Sequence, residues 1–252
     1  MKRAHPYMVI FLLLWAGAAA NAQAYPVKED SLLLFDSSRQ RPVPVTLYHP
    51  QSAKATNQHG LVILSHGYNA NKPGASKSYS YLARALAAEG WLIASIQHEL
   101  PGDDLIPATG IPQIVRMPFW QRGADNILFV LNTLKRIHPA LDSRQVVLIG
   151  HSNGGDMTML FAQQHPLLAQ KIISLDNRRM PFPASAQPQI LSLRSSDQPA
   201  DEGVLPTAAQ QQQYHIRIIP LKNVLHNDMA DTGTADQHTT IIRYILRFLR
   251  NK

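Results

Sequence analysis

Cysteine is absent from the 252 residues of this chain. Its absence excludes disulfide bonds, a thiol nucleophile and every metal site that uses thiolate ligands. Long apolar runs are also scarce: one lies near the N-terminus, and no second one follows. The folded part of the protein must therefore be stabilised by a hydrophobic core rather than by cross-links.

The apolar run near the N-terminus has the features of a signal peptide. It extends from Met8 to Ala20, follows two basic residues and precedes small residues that form A-x-A cleavage sites. The run is shorter than a membrane span usually needs, and an uncleaved anchor is the alternative interpretation. We expect a signal peptide over residues 1–24, cleaved after Ala22 or Ala24, and no stable membrane insertion of the mature protein. Export without cysteine is typical of a periplasmic or secreted bacterial protein.

Basic residues outnumber acidic ones, 24 to 17, which gives a net charge of +7. Signal cleavage would remove Lys2 and Arg3 but no acidic residue, so the charge of the mature chain would fall from +7 to +5. The basic residues are spread along the chain, and no nucleic-acid-binding motif is present. The excess therefore indicates a solvated surface, and we expect no nucleic-acid partner.

Strand and helix patterns alternate from about residue 43 to the C-terminus. Strands are expected at 43–48, 61–64, 91–96, 146–149, 171–175, 189–194 and 215–221, and helices at 78–88, 122–137, 156–164 and the C-terminus. Such alternation is typical of a mostly parallel sheet with helices on both faces. We therefore predict a single α/β domain over residues 25–252, a length that can bury a substantial core.

The segment from Val146 to Gly155 carries the strongest functional signal. Its sequence, VVLIGHSNGG, passes from an apolar strand directly into a G-x-S-x-G pattern that precedes a predicted helix. This order is typical of a nucleophile elbow, in which a tight turn holds an exposed serine. Glycines are needed because the turn is strained and crowded. We predict that Ser152 is a nucleophile, and a glycine-rich turn without chemistry is the alternative.

A serine hydroxyl is a weak nucleophile at neutral pH and needs a neighbouring base. His226 follows the last predicted strand, at the carboxyl edge where active sites of open α/β sheets collect. The other histidines after Ser152 fall at a helix end, at a strand start or beside the last helix: His165, His215 and His238. We therefore predict His226 as the base, with a surface-loop histidine as the alternative.

Two aspartates are candidates for the carboxylate that orients the base. Asp176 follows the strand expected at 171–175, and Asp197 follows the strand expected at 189–194. Both lie at the carboxyl edge, from which either could reach an imidazole on the loop of His226. The residues alone leave this choice open.

Two backbone amides are expected to bind the oxyanion that forms in acyl transfer. One is the N–H of Asn153, directly after the nucleophile. The other is the N–H of Tyr68, in the loop after the strand at 61–64, where Gly67 permits a sharp turn. Tyr68 as a pocket wall is the alternative, and we expect His66 to be structural.

With these residues in place, the chain resembles the α/β-hydrolases of the platelet-activating-factor acetylhydrolase and dienelactone-hydrolase-like group over about residues 40–250. The resemblance depends on four segments: LVILSHG at 61–67, YLARALAAEGW at 81–91, GHSNGG at 150–155 and SLD at 174–176. It implies the α/β-hydrolase fold. One departure is QHE at 97–99, where the group often has a strongly charged His-Arg-Asp-type segment.

The resemblance also bears on the acid of the triad. In the acetylhydrolases the acid follows the earlier of the two strands, which favours Asp176. In cutinase-like and dienelactone-hydrolase-like relatives it follows the later strand, which favours Asp197. We prefer Asp176.

Large lids of this fold usually enter between the strands expected at 171–175 and 189–194. Here that gap is short and contains three prolines, so we expect no large cap domain. The expected result is an open cleft bounded by apolar residues of the loop at 101–120: Ile106, Ile111, Met117, Phe119 and Trp120. Such a wall suits an acyl chain or an aromatic ester, and packing of these residues onto the core is the alternative.

Together these residues predict an exported serine hydrolase that cleaves small-molecule or lipid-like carboxylic esters through an acyl-enzyme intermediate. An amidase or peptidase would use the same residues, and a non-catalytic binding protein on this scaffold is the alternative outside enzymes. No cofactor is expected. No metal is expected either, because the sequence around His226 lacks a paired-ligand motif. The oligomeric state stays open.

Overall fold

The computed structural model describes residues 25–51, 60–142 and 144–251. The expected signal peptide, residues 1–24, lies outside the described residues, so its cleavage stays a prediction. Within the described ranges, no helix combines the length and the apolar character that crossing a membrane requires.

Within these residues, eight strands form one sheet: β1 (Val27–Asp36), β2 (Arg41–Pro50), β3 (Leu61–Ser65), β4 (Leu92–Ile96), β5 (Val146–His151), β6 (Lys171–Leu175), β7 (Gln189–Arg194) and β8 (Ile216–Pro220). Their order across the sheet is β1-β2-β4-β3-β5-β6-β7-β8. β2 pairs antiparallel with β1 and with β4, and every other neighbouring pair is parallel. The mostly parallel sheet expected from the sequence is confirmed, with an antiparallel hairpin at one edge.

Helices cover both faces of the sheet, as expected. The described residues form α1 (Ser80–Ala88), α2 (Pro112–Val115), α3 (Met117–Ile137), α4 (Ser152–Gln164), α5 (Ala208–Gln213) and α6 (Ala235–Arg250). The buried residues of α3 and α4 form one core with one face of the sheet. Those of α1 and α6 form a second core with the opposite face.

The central strands separate these two cores because successive side chains of a strand point to opposite faces. In β3, Leu61 and Ile63 belong to the core under α3 and α4, whereas Val62 and Leu64 belong to the core under α1 and α6. β5 divides its residues in the same way. Strands buried on both faces need continuous apolar sequence, which is the pattern that revealed them.

The topology brings several loops to the carboxyl edge of the sheet. β3 pairs with β4 on one side and with β5 on the other, and a crevice forms outside the carboxyl ends of strands at such a point. The loops after β3, β5, β6 and β8 all open on this edge. The segment between β6 and β7, residues 176–188, is described throughout and contains no helix. The expected absence of a large cap domain is therefore confirmed.

Candidate active site

Ser152 lies at the turn between β5 and α4. Its φ is 51°, in the left-handed region, where a non-glycine residue costs about 1–3 kcal/mol and which is common at functional sites. A Cβ on Gly150 would lie 2.4 Å from the carbonyl oxygen of Gly154, and one on Gly154 would lie 2.3 Å from that of Ser65. The two glycines of the G-x-S-x-G pattern therefore permit the close approach of β3, β5 and α4 that forms the turn.

Ser152, His226 and Asp176 form a continuous hydrogen-bonded chain. The Oγ of Ser152 lies 2.9 Å from Nε2 of His226. Nδ1 of His226 lies 2.6 Å from Oδ2 of Asp176. When Nδ1 donates to the carboxylate, Nε2 carries no proton and accepts from the serine hydroxyl. The structure thus brings three of the predicted site residues together, from the loops after β5, β6 and β8.

Asp176 is fully buried and has a φ of 61°. Its carboxylate accepts hydrogen bonds from the amide and the hydroxyl of Ser195, at 3.1 and 2.6 Å, and lies 2.9 Å from the guanidinium of Arg194. Burial raises the pKa of Asp176, but the hydrogen bond from His226, the charge of Arg194 and the hydrogen bonds from Ser195 outweigh it. The net pKa is below the ordinary value of 3.8. Asp176 is therefore an ionised carboxylate at neutral pH.

Asp197 also binds His226, but at a different atom. Its Oδ1 accepts the backbone N–H of His226 at 2.7 Å. In the described parts of the chain, no hydrogen bond joins Asp197 to the imidazole ring. Of the two candidate acids, the geometry therefore favours Asp176 as the partner of the ring and Asp197 as an anchor of the loop.

A second buried hydrogen-bond chain connects three of these loops. The N–H of Gly67 donates to the hydroxyl of Tyr79 at 3.1 Å, and that hydroxyl lies 2.6 Å from Nδ1 of His151. Nε2 of His151 lies 2.9 Å from the carbonyl oxygen of His226. Burial and the neighbouring His226 lower the pKa of His151 to about 3, so its imidazole is neutral and Nδ1 can accept from the tyrosine. Sequence reasoning missed this chain, because no local pattern links residues 72 positions apart.

The two amides expected to bind an oxyanion are both available. Asn153 is the second residue of α4, where a backbone N–H has no acceptor within the helix. Tyr68 follows the end of β3, and its hydroxyl accepts the N–H of Ile106 at 3.2 Å. Within the described residues, neither backbone N–H donates to another backbone group.

The apolar loop expected to bound a cleft divides into exposed and buried parts. Ile111 and Met117 are exposed, at 62% and 36%, and so are Leu105 and Ile114. Trp120 instead is fully buried, and its indole N–H donates to Oδ1 of Asn153 at 2.9 Å. The expectation that Trp120 bounds the cleft was wrong, because its side chain is part of the core that α3 and α4 form with the sheet. Two more of the expected residues are not exposed: Ile106 is buried and Phe119 is half-buried.

The acidic and histidine side chains of the site bond to one another, to the backbone, and to the side chains of Ser152, Tyr79, Ser195 and Arg194. In the described ranges, no group of three or more such side chains could hold a metal ion.

No protein-family model matches the sequence, and a comparison with curated proteins finds no match. Solved structures do match it. A lidless α/β serine hydrolase of Xanthomonas campestris is 17% identical with a TM-score of 0.57, and the match covers 91% of this chain and 99% of the other. The esterase Est22 is 11% identical with a TM-score of 0.65, covering 90% and 82%. Dienelactone hydrolase of Anabaena variabilis is 15% identical with a TM-score of 0.58, covering 88% and 96%.

At these identities the similarity concerns the backbone architecture. The eight-stranded, mostly parallel sheet with helices on both faces is consistent with that architecture. The chain therefore has the α/β-hydrolase fold, without a large cap domain.

Proposed function

We propose that the protein is a serine hydrolase that cleaves carboxylic esters with Ser152 as nucleophile, His226 as general base and Asp176 as the orienting acid. The observation that carries the proposal is the hydrogen-bonded chain from Oγ of Ser152 through the imidazole to the buried carboxylate. A serine in this arrangement loses its proton to the imidazole as it attacks. Without such a base, the high pKa of the hydroxyl would keep it protonated at neutral pH.

The proposed reaction has two halves. Oγ of Ser152 attacks the carbonyl carbon while Nε2 of His226 takes its proton, and the imidazolium then gives that proton to the departing alcohol. Asp176 stabilises the imidazolium through Nδ1. Water, deprotonated by the same imidazole, then releases the acid from the acyl-enzyme and restores Ser152.

The amides of Asn153 and Tyr68 are the proposed donors to the oxyanion. In low-dielectric surroundings each such donor contributes about 3 kcal/mol of transition-state stabilisation. Their free hydrogen-bonding capacity supports this role.

An ester with an apolar acyl or aromatic group is the proposed substrate class. Exposed apolar residues between β4 and the start of α3 support it: Leu105, Ile111, Ile114 and Met117, the first residue of α3. Of the similar structures, one is called an esterase and another a dienelactone hydrolase.

The test is turnover of p-nitrophenyl acetate by the purified protein and by Ser152→Ala, with the exposed Ser37→Ala as the matched control. Ser152→Ala should lose at least about 10³-fold in kcat, and Ser37→Ala should be unchanged. A fluorophosphonate should label the unaltered protein but not Ser152→Ala. Turnover that survives in Ser152→Ala would overturn the proposal, and faster cleavage of a matched anilide than of the ester would reassign the enzyme as an amidase.

We also propose that the protein is exported after cleavage of its signal peptide behind Ala22 or Ala24. The charged N-terminus, the apolar run and the A-x-A sites support this. N-terminal sequencing of the protein from a bacterial periplasm or medium should find Gln23 or Tyr25 as the first residue. Full-length protein confined to the cells would contradict the proposal.

A further inference from the structure

A buried carboxylate lies directly behind the nucleophile turn. Glu99 follows β4 and is only 1% exposed. Its Oε1 accepts a hydrogen bond from Nδ2 of Asn153 at 3.1 Å, and the indole of Trp120 donates to the other end of the same amide. The side chain of Asn153 is therefore held on both sides, which fixes the residue whose backbone N–H faces the proposed oxyanion.

The second proposed donor is held by His66. Nδ1 of His66 lies 2.7 Å from the carbonyl oxygen of Gly67, and Nε2 accepts the backbone N–H of His98 at 3.0 Å. The imidazole must therefore carry its proton on Nδ1. The carbonyl of Gly67 and the N–H of Tyr68 belong to one planar peptide, so fixing the direction of the first also fixes that of the second.

Glu99 and His66 meet in the interior. Oε2 of Glu99 lies 3.6 Å from Nε2 of His66. It has no hydrogen-bond partner among the described residues, although it is buried. An ionised oxygen left in this way is costly, so burial favours the neutral carboxyl. The lone pair of Nε2 already accepts the N–H of His98, so Glu99 and His66 lie side by side in the interior without a hydrogen bond between them.

We propose that Glu99 and His66 form a positioning pair that fixes both amide donors of the proposed oxyanion hole. Glu99 acts on Asn153 through its side chain, and His66 acts on Tyr68 through the peptide that follows Gly67. Neither residue touches the substrate. The inference depends on the proposed function, since an oxyanion hole has a role only if Ser152 attacks a carbonyl group.

Burial is the main reason that Glu99 titrates near neutral pH. Burial raises the pKa of Glu99 to about 7, with Arg122 and Arg41 opposing and Asp103 adding to the rise. Burial lowers the pKa of His66 to about 4, and burial together with His66, Arg122 and Arg41 keeps that of His98 well below its ordinary value. The guanidinium of Arg41 lies 2.6 Å from the carboxylate of Asp103, and that of Arg122 lies 3.6 Å from it. Glu99 is therefore the group of this cluster that changes charge between pH 6 and 8.

The first test compares two variants of Glu99. Glu99→Gln keeps an oxygen that can accept from Asn153 and removes the group that ionises. It should keep kcat within about 3-fold at pH 6 and should lose the alkaline decline in kcat that ionisation of Glu99 gives the unaltered enzyme. Glu99→Leu should lower kcat at least about 30-fold with little change in KM, because the interaction is made in the transition state.

The second readout separates positioning from packing. A trifluoromethyl ketone, which forms an oxyanion on Ser152, should bind Glu99→Leu more weakly by the same factor as the loss in kcat, while inhibition by the product alcohol stays unchanged. Ile93→Val, in the strand β4 that precedes Glu99, removes a buried methylene group and should change neither. Equal losses in Glu99→Gln and Glu99→Leu, or an unchanged affinity for the ketone in Glu99→Leu, would overturn the proposal.

A third measurement does not depend on activity. Nitrogen NMR of the labelled protein should show His66 protonated at Nδ1 and unprotonated at Nε2 from pH 5.5 to 6.5. The Nε2 signal should shift as Glu99 ionises between pH 6 and 8 and should not shift in Glu99→Gln. A His66 protonated at Nε2 would overturn the pair even if Ser152 proved to be the nucleophile. Conversely, turnover by Ser152→Ala would remove the proposed function and leave this NMR result intact.

Discussion

At the scale of single residues, two aspartates divide the task of holding one histidine. Asp176 binds the ring at Nδ1 and is itself held by Ser195 and Arg194, whereas Asp197 binds only the backbone N–H. The first contact determines which nitrogen of the imidazole carries the proton. The second contact determines where the loop lies. A neutral backbone amide depends less on the charge of its acceptor than an imidazolium does.

This division predicts different kinetic effects for two equivalent substitutions. Asp176→Asn should lower kcat by about 10⁴, because an amide stabilises the wrong tautomer and cannot compensate the imidazolium charge. Asp197→Asn keeps an oxygen that accepts the N–H of His226 and should lose no more than about tenfold in kcat. Steady-state kinetics on the same ester measure both. Equal losses, or a larger loss in Asp197→Asn, would contradict the assignment of the acid.

At the scale of elements, α4 and the loop after β6 are joined through one carboxylate. Oδ1 of Asp156, one turn along α4 from Ser152, accepts the backbone N–H groups of Arg178, Arg179 and Met180 at 3.2, 2.9 and 2.9 Å. The same helix begins with the nucleophile and the same loop begins with Asp176. Asp156 therefore sets the distance between the two elements that carry the proposed nucleophile and acid.

Asp156→Ala should destabilise the protein by about 3 kcal/mol or more, because it leaves three inward-facing amides without an acceptor. Asp156→Asn keeps the acceptor and isolates the effect of charge.

Burial raises the pKa of Asp156 to about 6 against the opposing hydrogen bonds, so the folded protein holds this proton more tightly than the unfolded chain, whose pKa is near 3.8. The contribution of this proton to the stability of the folded state is present at pH 4 and is lost as the pH rises through 6.

Urea denaturation at several pH values measures this linkage. Relative to Asp156→Asn, the free energy of unfolding of the unaltered protein should fall by on the order of 2–3 kcal/mol between pH 4 and pH 7. Parallel curves for the two proteins would show that Asp156 titrates normally.

The elements also show where sequence patterns are informative. The strands β6 (Lys171–Leu175) and β7 (Gln189–Arg194), which are buried except for the half-buried Gln189, have the bounds that their apolar runs predicted. β1 was missed, because at the sheet edge its outward residues Leu33 and Phe35 are apolar but exposed, at 71% and 56%, which removes the expected alternation. α3 begins at Met117, earlier than predicted, because a proline in the first helical turn lacks only an N–H that has no partner there.

At the scale of the whole molecule, the site combines residues that motif and chain order reveal with others that only the tertiary structure brings together. Ser152 and His226 follow from the pattern around the turn and from the last strand. The choice between Asp176 and Asp197 could not be made from sequence, because both end parallel strands at the same edge and the path of the His226 loop decides which one meets the ring. Glu99 and Tyr79 join the site through contacts 54 and 72 positions away in sequence, for which no local pattern exists.

The open carboxyl edge leads to a prediction about the whole enzyme. Residues 176–188 form no helix, so no cap has to move before an ester reaches Ser152. In enzymes that are activated at a lipid–water interface, a closed lid has to open first. The rate against a medium-chain p-nitrophenyl ester should therefore follow a single hyperbola through the concentration at which the substrate forms micelles. A variant with an exposed apolar residue made polar, Ile114→Ser, should retain that shape. The opposite result would be a sharp rise in the rate of the unaltered protein at micelle formation that is absent from Ile114→Ser. It would mean that the segment between β4 and α3 covers the site as a lid, although no lid is inserted between β6 and β7.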